Sequence, residues 1–243
     1  MKFVSCGACS QGFIYSVNEY GEGIAKECDC HKKWYAETIL NYRIEQANLP
    51  LFIKDYSIEQ YTGSRSSIDM LNHIKLYVEK FKGKYHSYHL YLWSKENSTQ
   101  KTTVASWIGK ELLAKGFSVK FVLMNDLIKL IMQAMYDDTF IEQIESYASC
   151  DYLIIDEAFD ARKVTVYRSG YQIPFLDSFL RKRMTIQSKA TCFTSNISID
   201  EIGKTFDTSI ENLMRRSILD PMYFSDDIQG SILSEESIKS MWE

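Results

Sequence analysis

The chain has 243 residues, 45% of them hydrophobic and 25% charged, with a formal net charge of −4. These values are typical of a globular protein with one medium domain and a small accessory module, and they exclude a surface that attracts nucleic acid over its whole area. No apolar run reaches the length of a membrane span and the N-terminus lacks a signal-peptide pattern, so we expect a cytoplasmic protein without membrane contact.

Four of the six cysteines lie near the N-terminus, as a Cys-x-x-Cys pair and a Cys-x-Cys pair. They are Cys6, Cys9, Cys28 and Cys30. Two short β-like runs, residues 12–17 and 24–27, separate the pairs, and a hairpin would bring the second pair to the first. In a reducing compartment such a cluster favours a structural zinc site over disulfides. His31 could replace one thiolate, and free thiols in a small hairpin are the alternative.

This zinc-binding module is predicted to span residues 1–33. A helical linker over residues 34–50 follows, because apolar side chains recur at helical spacing until Asn48-Leu-Pro50 closes the segment. The linker either packs as a connecting helix or carries a partner-binding face. The remaining residues, 51–243, are expected to form one larger domain, whose first helix runs from Ser66 to about Phe81.

A strand over residues 88–92, a polar loop ending in Lys101-Thr102 and a helix that stops at Gly116 predict a phosphate-binding loop. The N-terminus of such a helix presents free backbone N–H groups to an anion. Lys101 would reach the terminal phosphates and the Thr102 hydroxyl would bind magnesium. The residues expected to contact the nucleotide are Asn97, Ser98, Thr99, Gln100, Lys101, Thr102 and Thr103.

The loop departs from the motif at Lys95 and Gln100, where glycine is expected. Glycine serves there because the backbone must adopt positive φ and approach the phosphates closely. Ser98 stands where related ATPases often have a third glycine. An ordinary Lys-Thr at a helix start is therefore the alternative.

After a strand over residues 118–124 and helices over 127–136 and 140–148, a continuous apolar strand leads into Asp156-Glu157. Strands buried on both faces read this way in α/β proteins, and their C-terminal ends carry ligand sites. In a phosphate-loop enzyme this Asp holds magnesium, usually through water, and the Glu polarises the attacking water. A pair that only caps a helix is the alternative, but its position 55 residues after Lys101 favours the catalytic interpretation.

The polar stretch over residues 159–172 interleaves basic and aromatic side chains, which suits single-stranded DNA because cations meet phosphates and bases stack on rings. A solvated surface loop is the alternative. A helix over residues 174–184 follows, with basic residues near its C-terminal end, where the helix dipole favours them. The candidate DNA-binding residues are Arg162, Lys163, Tyr167 and Arg168.

A strand over residues 190–196 ends in Asn196, which could contact the γ-phosphate or the attacking water. The helical run that contains Arg215 and Arg216 is either an ordinary surface feature or reaches a neighbouring subunit's nucleotide site. Together these elements predict an α/β fold, an αβα sandwich with a mostly parallel sheet of about five strands. The phosphate loop and Asp156 should meet at its C-terminal edge.

The order of these pieces resembles the DnaC/DnaI-type replicative helicase loaders, a branch of the AAA+ ATPases that includes the IstB-like transposition ATPases. The resemblance is carried by the cysteine module, the loop ending Gln100-Lys101-Thr102, the Leu153–Glu157 strand, the Phe193–Asn196 strand and the run Glu211–Arg216. It implies that Lys101 and Thr102 are the Walker A residues, Asp156 and Glu157 the Walker B residues, Asn196 sensor 1, and Arg216 or Arg215 an arginine finger.

The resemblance also implies the cofactors ATP, Mg²⁺ and Zn²⁺, with an AAA+ domain whose helical lid is reduced or absent. The implied function is DNA replication: a loader that binds the hexameric replicative helicase and single-stranded DNA under ATP control, and that self-assembles into a ring or spiral. Whether ATP is hydrolysed depends on the divergent Walker A loop. The small size suits a phage or mobile-element protein.

Two other functions remain open. The first is a nucleotide-independent adaptor or inhibitor of the helicase or its loader on a degenerate AAA+ fold. The second is an IstB-like transposition ATPase acting on double-stranded DNA with a transposase, a function for which a zinc module is not required.

Overall fold

The protein is described from a computed structural model, which covers residues 2–62, 65–97, 99–160 and 170–224. Its N-terminal part is an antiparallel hairpin of β1 (Phe13–Val17) and β2 (Gly23–Glu27). The turn forms because the Asn18 side chain accepts hydrogen bonds from the backbone N–H groups of Tyr20 and Glu22. The predicted hairpin is therefore present, and it carries both cysteine pairs at its open end.

Helix α1 (Asp29–Gln46) links the hairpin to the rest of the chain. It begins five residues earlier than predicted, so Cys30 and His31 lie on its first turn. Its C-terminal part packs on the larger body, where Ile44 is fully buried. One helix thus crosses residue 33, and the division into residues 1–33, 34–50 and 51–243 stays a prediction.

The larger body contains a five-stranded sheet in the order β4-β5-β6-β3-β7, and each pairing is parallel. Residues of β5 and β6 are buried on both sheet faces, as continuous apolar runs predict. The predicted sheet is confirmed. The strands are β3 (Leu90–Trp93), β4 (Val119–Leu123), β5 (Tyr152–Asp156), β6 (Ala190–Ser195) and β7 (Met222–Tyr223).

Helices cover both faces of this sheet. The remaining helices are α2 (Arg65–Glu79), α3 (Lys101–Ala114), α4 (Met124–Gln133), α5 (Ile141–Ser149), α6 (Gln172–Arg181), α7 (Ile202–Thr205) and α8 (Thr208–Ser217). Alternate residues of the strands point into two separate cores: Leu92 and Ile154 pack with α1, α2 and α3, whereas Tyr91 and Ile155 pack with α4, α5, α6 and α8. The αβα sandwich is therefore confirmed. Within the described residues, every helix is too short or too polar to cross a membrane.

The chain continues from α6 into a π-helical turn, Lys182–Ile186, that carries the fully buried Arg183. Its Nε donates to Thr191 Oγ1 at 3.0 Å. Its Nη1 donates to three carbonyl oxygens at the end of α5, those of Tyr147, Ala148 and Cys150, each at 2.9 Å. Arg183 thus satisfies carbonyls that a helix end leaves without partners and joins α5 to β6.

Candidate functional site

The polar loop from Ser94 to Gln100 connects the C-terminal end of β3 to the first residue of α3. Because all five strands run parallel, the C-terminal ends of β3, β5 and β6 lie at one edge of the sheet. Ser94 is tied to this edge by a hydrogen bond from its backbone N–H to Ser195 O, at 3.1 Å. The loop and the end of β5 meet there, as expected: Thr102 Oγ1 donates to Asp156 Oδ1 at 2.7 Å.

Lys101 begins α3, and only 7% of its surface is exposed. Its ammonium group donates to Glu96 O at 3.0 Å and to Thr99 Oγ1 at 2.8 Å, so it is held against the loop. Both acceptors belong to the loop itself. A phosphate entering the loop could take their place while the lysine stays at the helix N-terminus.

Gln100 precedes α3 with φ of 60° and ψ of 16°, in the left-handed region. A glycine adopts this conformation without strain, whereas a residue with a Cβ atom is disfavoured there by about 1–2 kcal/mol. The Gln100 side chain also donates to Thr62 Oγ1 at 3.0 Å and is buried. The backbone therefore has the conformation for which the motif uses glycine, but a large side chain occupies the position.

Replacing Gln100 with glycine is expected to strengthen binding of Mg·ATP by about tenfold. Without the Gln100 side chain the loop backbone becomes accessible to the phosphates. The strain of roughly 1–2 kcal/mol is present with and without nucleotide, so its loss stabilises the fold and does not change the affinity. Titration calorimetry of the variant beside the wild type measures the change. Thr62→Val, which removes the hydrogen-bond acceptor but leaves the glutamine in place, is the matched control and should change affinity much less. Weaker binding by Gln100→Gly would show that the glutamine supports the loop.

Asp156, the last residue of β5, has its Oδ1 atom contacted by two hydroxyls, those of Thr102 and Thr194. Burial raises the pKa of the Asp156 carboxyl, and the hydrogen bonds from Thr194 and Thr102 oppose this shift. A divalent cation would favour the ionised carboxylate in the same place. Oxygen ligands of this type, a hydroxyl beside a carboxylate, fit Mg²⁺.

Glu157 follows Asp156 with φ of 55°, a strained value for a residue that is not glycine, and is partly buried. Its backbone N–H donates to Thr194 Oγ1 at 3.2 Å. Asn196, which follows β6, donates from Nδ2 to Asn97 Oδ1 of the loop at 3.1 Å. Asn196 therefore contacts the loop, and Asp156 contacts Thr102 just after the loop.

Three residues around this site were absent from the sequence predictions. Asp160 is buried and accepts a hydrogen bond from Asn196 Nδ2 at 3.3 Å. Thr194 lies one residue before the end of β6 and holds Asp156, and Thr62 holds Gln100. A signal for the first existed, since Asp160 is a third carboxylate just after Asp156 and Glu157.

Arg216 lies away from its own phosphate loop. It lines a cavity of about 450 Å³ together with Leu90, the first residue of β3, whereas the loop follows the last residue of that strand. Its neighbour Arg215 forms ion pairs with Glu211 and Asp200, while Arg216 is exposed. The chain therefore does not bring Arg216 to the same place as Asp156.

Some predicted site residues lie outside the described part of the chain. They are Ser98 of the phosphate loop and the candidate DNA-binding residues Arg162, Lys163, Tyr167 and Arg168. The remaining predicted nucleotide-contacting residues follow one another from the loop into α3, where Thr99 and Thr103 are buried and Asn97 is exposed.

A second candidate site is the cysteine cluster at the open end of the hairpin. The Sγ atoms of Cys6, Cys9, Cys28 and Cys30 all lie within 4.8 Å of one another. The Sγ···Sγ distances are 3.9 Å for Cys6–Cys9, 3.7 Å for Cys6–Cys28, and 3.4 Å for Cys9–Cys30 and Cys28–Cys30. A tetrahedral zinc site with Zn–S bonds of about 2.3 Å separates its sulfurs by about 3.8 Å, so the four thiols fit zinc.

His31 lies apart from this ligand set. Its Nδ1 atom lies 2.7 Å from Glu27 Oε1, and its ring packs against those of Phe3 and Trp34. Gly12 has a φ of 90° and lies so close to His31 that a Cβ atom there would be 2.6 Å from the ring, and both features require glycine at this position. His31 thus fastens the hairpin to α1, and four cysteines are available for the metal.

Comparison with known proteins identifies the family to which the larger domain is similar. The family described as IstB-like ATP binding protein matches residues 95–228, more than half of the chain. No curated protein sequence matches the chain.

Solved structures share the fold. A primosome component from Streptococcus pyogenes serotype M3 superposes with a TM-score of 0.60 at 17% identity, over 80% of this chain and 97% of that one. The DnaC helicase loader has a TM-score of 0.58 at 16% identity, over 71% and 96% of the two chains. DnaI has a TM-score of 0.55 at 18% identity, over 70% and 95%. At these identities, the likeness is one of fold.

Proposed function

The chain belongs to the family of IstB-like ATP-binding proteins, and from this premise we propose that it loads a hexameric replicative DNA helicase under the control of ATP. The observation that carries the proposal is the contact between Thr102 of the phosphate loop and Asp156 at the end of β5, 2.7 Å apart. The cysteine module supports the choice of a loader, as does the resemblance in fold to the DnaC helicase loader.

In this proposal the backbone N–H groups at the start of α3 and the Lys101 ammonium bind the β- and γ-phosphates of ATP. Thr102 and Asp156 hold the magnesium ion, which when bound neutralises charge on the phosphates. Glu157 orients a water molecule and accepts its proton, and the N–H groups of Asn196 contact the γ-phosphate. These roles are the ones predicted for the Walker A residues Lys101 and Thr102, the Walker B residues Asp156 and Glu157, and the sensor 1 residue Asn196.

Arg216 acts on a neighbouring subunit in this proposal. Its place near the start of β3, away from its own loop, suits a contribution to an adjacent chain in a ring or spiral. Arg215 is the weaker choice for this role because Glu211 and Asp200 hold it.

In this proposal the hairpin supplies the surface that binds the helicase. Several large apolar side chains on it are exposed, among them Tyr15 at 68%, Val17 at 71% and Tyr20 at 82%. Exposed aromatic and apolar side chains grouped on a small module favour a protein partner, because aromatic residues contribute most to the centres of interfaces. Binding of single-stranded DNA by Arg162, Lys163, Tyr167 and Arg168 remains part of the same proposal.

Capture of the replicative helicase from the organism that carries this gene tests the proposal. The immobilised wild-type chain should retain the purified hexamer, and Mg·ATP should change the amount retained. Tyr15→Ser combined with Tyr20→Ser should reduce capture at least tenfold, since a central aromatic anchor contributes about 2 kcal/mol or more. Tyr136→Ser is the matched control, because Tyr136 is exposed by 83% but lies outside the hairpin. No retention of the helicase with or without ATP would refute the loader.

A nucleotide-independent adaptor or inhibitor is the second candidate, and the buried side chain of Gln100 in the loop favours it. The same capture experiment separates the two. An adaptor would retain the helicase equally with and without Mg·ATP, and Lys101→Ala would leave capture unchanged. Retention of a transposase in place of the helicase would instead point to a transposition ATPase.

A further inference from the structure

Asp160 is a buried carboxylate at the candidate site that has no role in the proposed mechanism. It lies four residues after the end of β5, and 2% of its surface is exposed. Its Oδ2 atom accepts a hydrogen bond from Asn196 Nδ2 at 3.3 Å. It therefore touches the side chain that the mechanism assigns to the γ-phosphate.

This contact decides the orientation of the Asn196 amide. The carboxylate oxygen accepts this hydrogen bond, so the NH₂ end of the amide faces Asp160. The same Nδ2 atom donates to Asn97 Oδ1 in the phosphate loop, at 3.1 Å. One NH₂ group makes both contacts, and the amide carbonyl points away from both.

The orientation matters because phosphate oxygens accept hydrogen bonds and do not donate them. An amide that turns its NH₂ group to the phosphate loop can bind a terminal phosphate, whereas a flipped amide would present a carbonyl oxygen and repel it. We propose that Asp160 is a positioning residue that keeps the Asn196 N–H groups directed toward the phosphate loop. In this way it enables the site to distinguish a nucleoside triphosphate from a diphosphate. This inference rests on the proposed nucleotide site.

Asp160→Asn tests this directly. The substitution keeps the shape of the side chain, but an amide at this position can donate to the Asn196 carbonyl and so permits the flipped orientation. Calorimetric titration with Mg·ATP and with Mg·ADP should show that the preference for ATP falls about tenfold or more, the effect of one hydrogen bond to a charged group. Affinity for ADP should stay unchanged.

A double-variant comparison separates positioning from a general structural effect. In a chain that already carries Asn196→Ala, Asp160→Asn should have no further effect on the ATP preference, because Asp160 acts through Asn196. Ser195→Ala is the matched control: it removes the hydrogen bond from Ser195 Oγ to Ala158 O, 2.6 Å long, and the one that Ser195 Oγ accepts from Ile197 N, 3.2 Å long, but neither hydrogen bond of the Asn196 side chain. It should keep the preference.

Thermal unfolding without nucleotide establishes that each variant folds. If Asp160→Asn does not fold, Asp160→Ser, which can also donate a hydrogen bond, makes the same comparison. An unchanged ATP preference in the folded variant would overturn the role of Asp160 but not the proposed nucleotide site. Additive effects of the two substitutions in the double variant would have the same meaning. Failure of the wild-type chain to bind either nucleotide overturns the proposed function and this inference together.

Discussion

Replacing Cys6 and Cys9 with serine is expected to abolish zinc binding and to unfold the N-terminal hairpin. All residues of β1 are exposed, so the module has almost no core of its own. The metal must therefore supply its stability, and structural zinc contributes about 10–16 kcal/mol at neutral pH. Metal analysis of the purified wild-type chain should find one zinc ion per chain, and analysis of the variant should find none.

Cys150→Ala is the control for this experiment, because Cys150 is buried beside β5 and lies outside the cluster. That variant should keep its zinc even if its melting temperature falls. Zinc retained by the Cys6/Cys9 double variant would contradict the assignment, and so would a wild-type chain purified under reducing conditions without metal. The folded larger domain should survive the loss of zinc, because its two cores do not include the hairpin strands.

Lys101→Ala is expected to remove nucleotide binding while leaving the fold intact. The Lys101 ammonium lies inside the loop, bonded to Glu96 O and Thr99 Oγ1, where it can meet the phosphates. A ligand present at a hundred times its dissociation constant stabilises the native state by about 2.7 kcal/mol. For a chain of this size we expect Mg·ATP to raise the melting temperature of the wild type by about 5–10 °C, and that of Lys101→Ala not at all.

Lys110→Ala provides the matched control on the same helix. Lys110 donates to Lys54 O and Tyr56 O on the outer side of α3, away from the loop. Its removal should lower the melting temperature without nucleotide yet preserve the rise on adding Mg·ATP. An equal rise in wild type and Lys101→Ala would place the nucleotide somewhere other than this loop.

The fold was predictable because its strands are continuous apolar runs and its helices have a clear period. Hydrophobic pattern alone identifies β5 and β6, and polar residues at their ends locate the edge at which Asp156 and Asn196 lie. Boundaries were predicted less accurately. Helix α1 starts at Asp29, because the chain enters its first turn directly from the Cys28/Cys30 pair. The spacing of apolar residues does not predict this start.

The features that the sequence did not predict depend on contacts between residues far apart in the chain. Arg183 was expected to lie on a basic helix end, yet a π-helical turn directs it into the interior, where it satisfies carbonyls of α5. The positive φ of Gln100 contradicts local preference, because contacts of Thr102 with Asp156 and of Gln100 with Thr62 hold the loop in place. Asp160 was visible in the sequence as a third carboxylate, but its contact with Asn196 could be recognised only once β6 was placed beside β5.

Titration of Mg·ATP into the wild-type chain tests most directly whether a phosphate loop with glutamine in place of glycine still holds a nucleotide. We predict saturable binding of one nucleotide per chain, dependent on magnesium and lost in Lys101→Ala. No binding at millimolar Mg·ATP, by a chain that is folded and contains zinc, would contradict the central claim.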